Sequence, residues 1–426
     1  MIQYHVWPRG DCIGGFFKKM AMTMKISFIV LMLASVHERA QAQSFLFPGA
    51  SVMFESGLSQ TNTRGAAAVA SNPANTVISK RLEAYADLTI VNVAYSYVRG
   101  DSDPAKIALS APPVNFGVSY KAKPNFAFGI FSTPRPSLTA TKIRAVPIDM
   151  GGTVLQFDIE QKSSTFITAM GAGFKTSKDL ALGISIIETA EDSQIIVRDT
   201  GTTDDANALL GMRYRGDFFQ VLAGFRKVQN GNITVAGSYK TAVAKTYRGT
   251  QIIKGDQDNN IRKKGYAPGV FSIGGEYRLG FPAVFGELRH EAWSAGKSSY
   301  TSGLPGAASE TALNDLIILV AGGRLRLPNG HSGSASIGIY PHNVGLGSTS
   351  EDIQSGIGIT GVSFGDFDAL DRVMFSASYR LTKKKMDITA GFNMITGARS
   401  VPAVYPGAGK YSLQVFSLGG GGSYYF

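Results

Sequence analysis

Cysteine is almost absent: the 426 residues contain one, Cys12, so neither a disulfide framework nor a multi-thiolate metal site is available. Tryptophan is nearly as scarce, with two residues, and only 17% of the side chains are charged. Long apolar runs are missing too. After residue 40 no stretch approaches the roughly 20 consecutive apolar residues that a membrane-crossing helix needs, which excludes a polytopic helical membrane protein. Disorder is excluded by a 44% hydrophobic content and a mean hydropathy of +0.03, because disordered chains are poor in apolar residues. What the chain has in abundance is glycine, 50 residues, with 25 Phe and 17 Tyr. Such a chain can enter a membrane only with strands.

The first 42 residues read as a targeting segment. An apolar run from Ile26 to Val36 follows Lys18, Lys19 and Lys25 and leads to the small-x-small triplet Ala40-Gln41-Ala42, the pattern of a secretory signal peptide. Cleavage after Ala42 is expected, and residues before about Met20 carry neither a core pattern nor targeting logic, so 1–42 are expected to be removed as extension and signal peptide. Without them the 42 basic and 31 acidic residues fall to 37 and 29. The basic residues are scattered rather than clustered with aromatics, so nucleic acid is not an expected partner. An anionic membrane surface is compatible with the surplus.

One short signature recurs along the rest of the chain: a small residue, a spacer, an aromatic or Leu, then usually a basic residue and a turn. It reads Gly117-Val-Ser-Tyr120-Lys121, Gly171-Ala-Gly173-Phe174-Lys175, Leu222-Ala-Gly224-Phe225-Arg226, Gly275-Glu-Tyr277-Arg278, Gly323-Arg-Leu325-Arg326, Ser376-Ala-Ser378-Tyr379-Arg380 and Gly422-Ser-Tyr424-Tyr425-Phe426. The seven key positions are spaced by 54, 51, 52, 48, 54 and 45 residues. Each of the first six copies is followed by a short turn rich in Gly, Pro, Asn or Asp, a second strand, and a long polar segment: 99–111, 134–162, 193–216, 248–267, 295–313 and 343–371. A propeller blade needs four comparable strands per repeat. Two strands with one short and one long connection are the outer-membrane pattern instead.

The strands alternate with period two. Met386, Ile388, Ala390, Phe392 and Met394 share one face, and Asp387, Thr389, Gly391 and Asn393 the other; Phe271, Ile273, Gly275 and Tyr277 oppose Ser272, Gly274, Glu276 and Arg278. A soluble sandwich would alternate identically, but the export signal, the missing cysteines and the loop asymmetry favour a membrane barrel. Seven descending and seven ascending strands give an all-β, 14-stranded antiparallel transmembrane β-barrel over 83–426. The strand-like stretch 205–215 would make the count odd and is read as loop-borne. The terminal Phe426 suits recognition by barrel-assembly machinery.

Residues 43–82 do not alternate and are rich in Gly, Ala, Ser and Asn, which is compatible with a periplasmic tail or with a plug inside the lumen. Gly49-Ala50-Ser51, Ser56-Gly57, Arg64-Gly65-Ala66-Ala67 and Asn72-Pro73-Ala74 together resemble the N-terminal hatch of the FadL family of outer-membrane long-chain fatty acid and hydrocarbon transporters. The segment from Pro268 through Gly274-Gly275-Glu276-Tyr277 to Trp293 is similar to a recurrent hairpin of that family. The resemblance implies a fourteen-strand barrel closed by a hatch at 43–82, with Arg64, Gly65, Asn72, Pro73 and Ala74 in the hatch motif. It further implies hydrophobic ligands captured outside and released by hatch rearrangement and a lateral opening.

Catalytic constellations are not expected, nor is a metal or other cofactor. His290-Glu291 lacks the second His of a zinc motif. Gly330-His331-Ser332-Gly333-Ser334 fails the nucleophile elbow at its last position. Gly356-Ile-Gly358-Ile-Thr-Gly361 lacks a βαβ context. Asp256-Gln-Asp258-Asn-Asn260 has Ile261 where a calcium loop needs Gly. The lumen charges carry more information. Glu276, Arg278, Glu287, Arg289 and Glu291 share one face of a hairpin, and a charge facing lipid costs about 2–4 kcal/mol near the midplane, so that face is expected to be the interior. There the charges either clamp the hatch, with Arg64 a candidate partner, or simply wet the lumen. Phe45, Leu46, Phe47 and Phe54 are the candidate ligand-binding residues, as an apolar cluster in a polar lumen; ordinary hatch packing is the alternative. The function these features favour is passive uptake of hydrophobic small molecules by a monomer in the outer membrane, with outer-membrane lipid around it. A general porin, or a structural or secretion-associated barrel, is the competing expectation, and a lipid hydrolase is disfavoured by the missing catalytic groups.

Overall fold

The structure is a computed structural model that describes residues 60–61, 63–98, 105–111, 114–136, 140–150, 153–199, 210–253, 256–295, 297–301, 308–312, 315–342, 370–401 and 409–426. Its strands, in chain order, are β1 (Leu82–Val98), β2 (Ala105–Ala111), β3 (Val114–Lys123), β4 (Phe126–Pro136), β5 (Ala140–Met150), β6 (Thr153–Lys175) and β7 (Leu180–Asp199). There follow β8 (Leu210–Gln229), β9 (Ile233–Lys240), β10 (Val243–Ile253), β11 (Asp256–Ala267), β12 (Gly269–Arg278), β13 (Pro282–Ala292), β14 (Lys297–Thr301) and β15 (Ala308–Ala312). The last are β16 (Leu316–Arg326), β17 (His331–Tyr340), β18 (Asp371–Thr382), β19 (Met386–Val401) and β20 (Gly409–Tyr425). Fourteen of them, β1, β3, β4, β6 to β9, β12, β13 and β16 to β20, pair antiparallel in an unbroken ring. β1 and β20 close it over sixteen residue pairs, from Glu83 opposite Tyr425 to Val98 opposite Lys410. Closure removes the free edges that an open sheet would present.

Alternation along these strands separates two environments. On β7, Ile184 and Ile186 are more than half exposed while Ser185, Ile187 and Thr189 are buried. The outward set continues around the ring through Val118, Ile130, Met170, Val284, Ile317, Ile339 and Leu418. Soluble monomers rarely expose contiguous apolar patches beyond a few hundred Å², and a sandwich would bury these residues between its sheets. A belt of this kind encircling a closed barrel faces hydrocarbon. The fold is therefore a 14-strand transmembrane β-barrel, with the fold class and strand number that the periodicity suggested.

The long polar segments differ from expectation. Within the described residues five of the six are largely strand, while 343–369 lie outside the described residues: β2 pairs with β1, β5 with β6, β10 with β8 and β11, and β14 with β11 and β15. Residues 210–215, read as loop-borne, are the first part of an uninterrupted β8 and pair with β7 and β10. Polarity marks water around these hairpins and does not forbid a ladder.

A second feature is a break in the ladder within 232–247. Thr241-Ala242 separates β9 from β10, beside Pro268, which separates β11 from β12 and has no N–H to give to a ladder. Gln220 of β8 repairs the double break from inside: its Nε2 donates to Thr241 O at 2.6 Å and to Pro268 O at 3.4 Å. Such repair is needed because a buried carbonyl left unpaired costs about 1–3 kcal/mol.

Candidate functional site: the lumen and the segment packed in it

The described part of the segment before β1 lies within the ring. Asn72 starts the 3-10 turn Pro73–Ile78, its Oδ1 accepting from Ala74 N at 3.2 Å, and Pro73 fits the first turn because its missing N–H would be unpaired there anyway. The Asn-Pro-Ala motif lies directly on the wall. An added Cβ at Gly173 of β6 would meet Pro73 O at 2.5 Å; at Gly183 of β7 it would meet Ala74 N at 2.3 Å, and at Gly224 of β8 Asn72 Oδ1 at 2.2 Å. Gly173 and Gly224 are the small residues of two signature copies, so part of that repeat exists to let a second backbone approach the strands. Asn72 Nδ2 also donates to Phe225 O on β8 at 3.1 Å.

Within the segment, Gln60 O accepts from Asn75 Nδ2 at 2.7 Å and Ser71 Oγ donates to Thr63 Oγ1 at 2.9 Å. The one-turn α-helix Gly65–Ala68 begins at Gly65 with φ +57°, a left-handed conformation suited to glycine. A Cβ there would lie 1.6 Å from Glu83 Oε2. Glu83, on β1, is fully buried and accepts from Ser119 of β3 and Ser423 of β20. One carboxylate thus ties three strands at the closing seam beneath the segment.

The lumen has two kinds of wall. Phe131 of β4, Ala169 of β6, Ile187 of β7 and Leu222 of β8 form a buried apolar cluster with Ala67 and Val69 of the segment, and Tyr85 and Ile167 pack beside it. On the other side, Glu276 receives Arg278 Nε at 2.7 Å, Arg324 Nη1 at 2.8 Å and Arg326 Nη2 at 3.6 Å. Glu287 receives Arg289 Nη2 at 3.3 Å, and Glu291 accepts from Trp293 Nε1 at 2.9 Å. Glu276 and Glu287 are buried while Phe271, Ile273, Tyr277 and Leu288 are exposed, so the phasing of this hairpin puts its charges inside.

Besides Glu83, which accepts from the backbone of Ala66, two more charged side chains bond the segment. Glu287 Oε2 accepts from Gln60 N at 2.9 Å, and Arg226 Nη1 donates to Thr61 O at 3.3 Å. Both use backbone atoms, which no side-chain pattern in the segment announces, although Arg226 is the basic residue of a signature copy. Arg64 joins neither contact and carries no hydrogen bond or ion pair among the described residues; it lines a cleft with Tyr85, Arg380, Asp387 and Tyr425. Phe45, Leu46, Phe47 and Phe54, like the whole stretch 1–59, lie outside the described residues.

A fourteen-strand membrane barrel whose lumen holds the chain's own leading segment is the class this geometry defines. No family model matches the chain, and no curated protein matches it. Solved structures do. A Pseudomonas aeruginosa FadL homologue is similar over 90% of this chain and 99% of its own, at 12% identity and a TM-score of 0.67. The Pseudomonas putida toluene transporter TodX is similar over 89% of this chain and 98% of its own, at 14% identity and TM-score 0.62. The Ralstonia pickettii toluene transporter TbuX is similar over 90% and 100%, at 10% identity and TM-score 0.57. The chain has the FadL-type barrel fold.

Proposed function

We propose that this protein is an outer-membrane channel for passive uptake of hydrophobic small molecules, with residues 43–82 as a hatch whose rearrangement admits the cargo. The observation that carries the reading is the apolar inner wall of Phe131, Ala169, Ile187 and Leu222 against Ala67 and Val69. A pore for ions or sugars gains nothing from such a wall, since interiors of water-filled barrels are polar. A hydrocarbon that buries about 150 Å² there gains roughly 4 kcal/mol at 25 cal/mol per Å², which suffices for capture without nucleotide hydrolysis. The FadL homologue and the toluene transporters that share the fold support the cargo class. Phe45, Leu46, Phe47 and Phe54 are proposed to extend the apolar wall, and the Glu287 and Arg226 contacts to clamp the hatch. The working unit is a monomer surrounded by outer-membrane lipid, exported by a signal peptide, inserted by barrel-assembly machinery and without catalytic activity.

The test is uptake of radiolabelled toluene and of a long-chain fatty acid by cells expressing the wild type or Phe131→Asp. The variant is expected to lose most of the uptake while its barrel inserts normally, as judged by heat-modifiable gel mobility. Equal uptake by a correctly inserted variant would refute the assignment of this wall.

A further inference from the structure

The outer face of the polar hairpins carries charge that neither the lumen nor the ladder uses. Arg215 of β8 stands opposite Arg248 of β10, and Arg248 stands opposite Arg262 of β11. Side chains directly opposite on neighbouring strands have Cβ atoms only about 4.5–5.5 Å apart, and like charges so placed repel. All three arginines are exposed, and none makes a hydrogen bond or ion pair among the described residues. The row faces away from the lumen, because the adjacent Tyr247 is buried on the opposite face of β10 and donates to Glu191 of β7.

Its height on the barrel decides what it meets. On β8, Arg215 shares a face with Asp217, Phe219 and Val221, and Phe219 and Val221, 59% and 41% exposed, belong to the lipid-facing belt. The stretch from Arg215 to Phe219 covers about 13 Å of strand at about 3.4 Å per residue, and a strand tilt of about 35–45° leaves roughly 10 Å of height. This end of the barrel bears the long connections, so it is the outer one. The neighbouring carboxylates leave the row unneutralised. Asp192, opposite Arg215, is held by Arg213 at 3.2 Å. Glu188, opposite Phe219, and Asp217 are exposed lower down, at and just above the upper edge of the belt.

We infer that this row binds the phosphate groups of an acylated glycolipid of the outer leaflet, with the acyl chains against Phe219 and Val221 and the sugar hydroxyls donating to Asp217 and Glu188. Guanidinium matches phosphate oxygens with paired N–H donors and keeps its charge at any working pH. A phosphate joined directly to a glycerol lipid falls short of the row, because an ordinary headgroup region is only about 5–8 Å deep on each side of the hydrocarbon. A sugar between the chains and the phosphate supplies the missing height and the hydroxyl donors that the two lower carboxylates accept. Bound phosphate also removes the repulsion that the free row carries. The site is independent of what the lumen carries.

The test is native mass spectrometry of the processed protein in detergent, titrated with an acylated glucosamine disaccharide carrying two phosphates and with the same glycolipid stripped of phosphate. The phosphorylated form is expected to bind at least about tenfold more tightly, the scale that charge-assisted hydrogen bonds supply. The triple variant Arg215→Gln, Arg248→Gln, Arg262→Gln should erase that preference. The variant Lys383→Gln, Lys384→Gln, Lys385→Gln, which removes three exposed charges at the opposite end of the barrel, should leave it unchanged. Without lipid the arginine triple variant should keep or raise its melting temperature, since the repulsion along the row is gone, and added phosphorylated glycolipid should raise the melting temperature of the wild type alone. Equal binding of the two glycolipids, a preference that survives the arginine triple variant, its loss in the lysine variant, or a lower melting temperature of the lipid-free arginine variant overturns the site. Competition by phosphatidylglycerol as effective as by the phosphorylated glycolipid overturns it by assigning the row to glycerol phospholipid, and displacement by an equal concentration of inorganic phosphate does so by assigning it to free anions.

Discussion

Gly183→Ala adds one methyl group at the point where the backbone of the proposed hatch rests on β7. The new Cβ would stand 2.3 Å from both Ala74 N and Pro73 C, about 1 Å inside ordinary contact. Both are main-chain atoms, so no side-chain rotation relieves the overlap. Inserting a methyl into a packed site costs about 1–3 kcal/mol, and each 1.4 kcal/mol is tenfold, so the fraction of molecules with the hatch lifted should rise about 5- to 150-fold. The barrel ring itself should keep its melting temperature. A single reporter, Ser71→Cys in the processed chain, is buried where the segment is docked and reacts with maleimide only when the segment is lifted. Gly275→Ala is the control, since its Cβ meets nothing closer than Thr234 O at 3.9 Å. Labelling of Gly183→Ala at the control rate would refute the claim that the wall glycines seat the hatch.

Gly65→Ala should undock the same segment by a different route, through strain at φ +57° and overlap with Glu83, and Glu83→Ala should restore part of the loss, read by the same cysteine reporter. Glu276→Gln leaves Arg324, which is buried, without its carboxylate; a broken buried pair costs about 3–5 kcal/mol, so the heat-modified form should appear at lower temperature than in the wild type. Asp315, just before β16, accepts from Ser294 N and contacts His290, and the Ser294 hydrogen bonds hold its carboxyl below the usual range. A depressed pKa contributes above the unfolded value and is lost as pH falls through the folded one. Asp315→Asn should therefore lose pH dependence on the acid limb of a thermal titration and change nothing at pH 7 to 8 beyond a constant offset.

The barrel was legible because its two faces meet opposite solvents. Period two, short turns against long connections and the seven signature copies are local features, and the charges of Glu276 and Glu287 could be assigned to the inside because lipid excludes them. The break after Lys240 was not legible, because Pro268, which faces it, lies some thirty residues further along, between β11 and β12. The strands of the polar hairpins were hidden for a related reason: Arg248 or Lys264 reports solvent, not pairing. The contacts that hold the segment before β1 were the hardest feature to foresee. Gln60 meets Glu287 through its amide across 227 positions of sequence, and a main-chain donor leaves no compositional trace. Gly173, Gly183 and Gly224 did leave one, as small residues in the strands, but their partner Asn72-Pro73-Ala74 was known only by resemblance.

The account's central claim is that the lumen carries greasy cargo and is stopped against water-soluble solutes. Purified protein in liposomes loaded with a hydrocarbon-binding reporter, measured in parallel for entry of toluene or a fatty acid and for ion leakage, tests it most directly. The account predicts protein-dependent, saturable entry of the hydrophobe with ion leakage close to that of empty liposomes. Free passage of ions and sugars with no protein-dependent hydrophobe entry would contradict it.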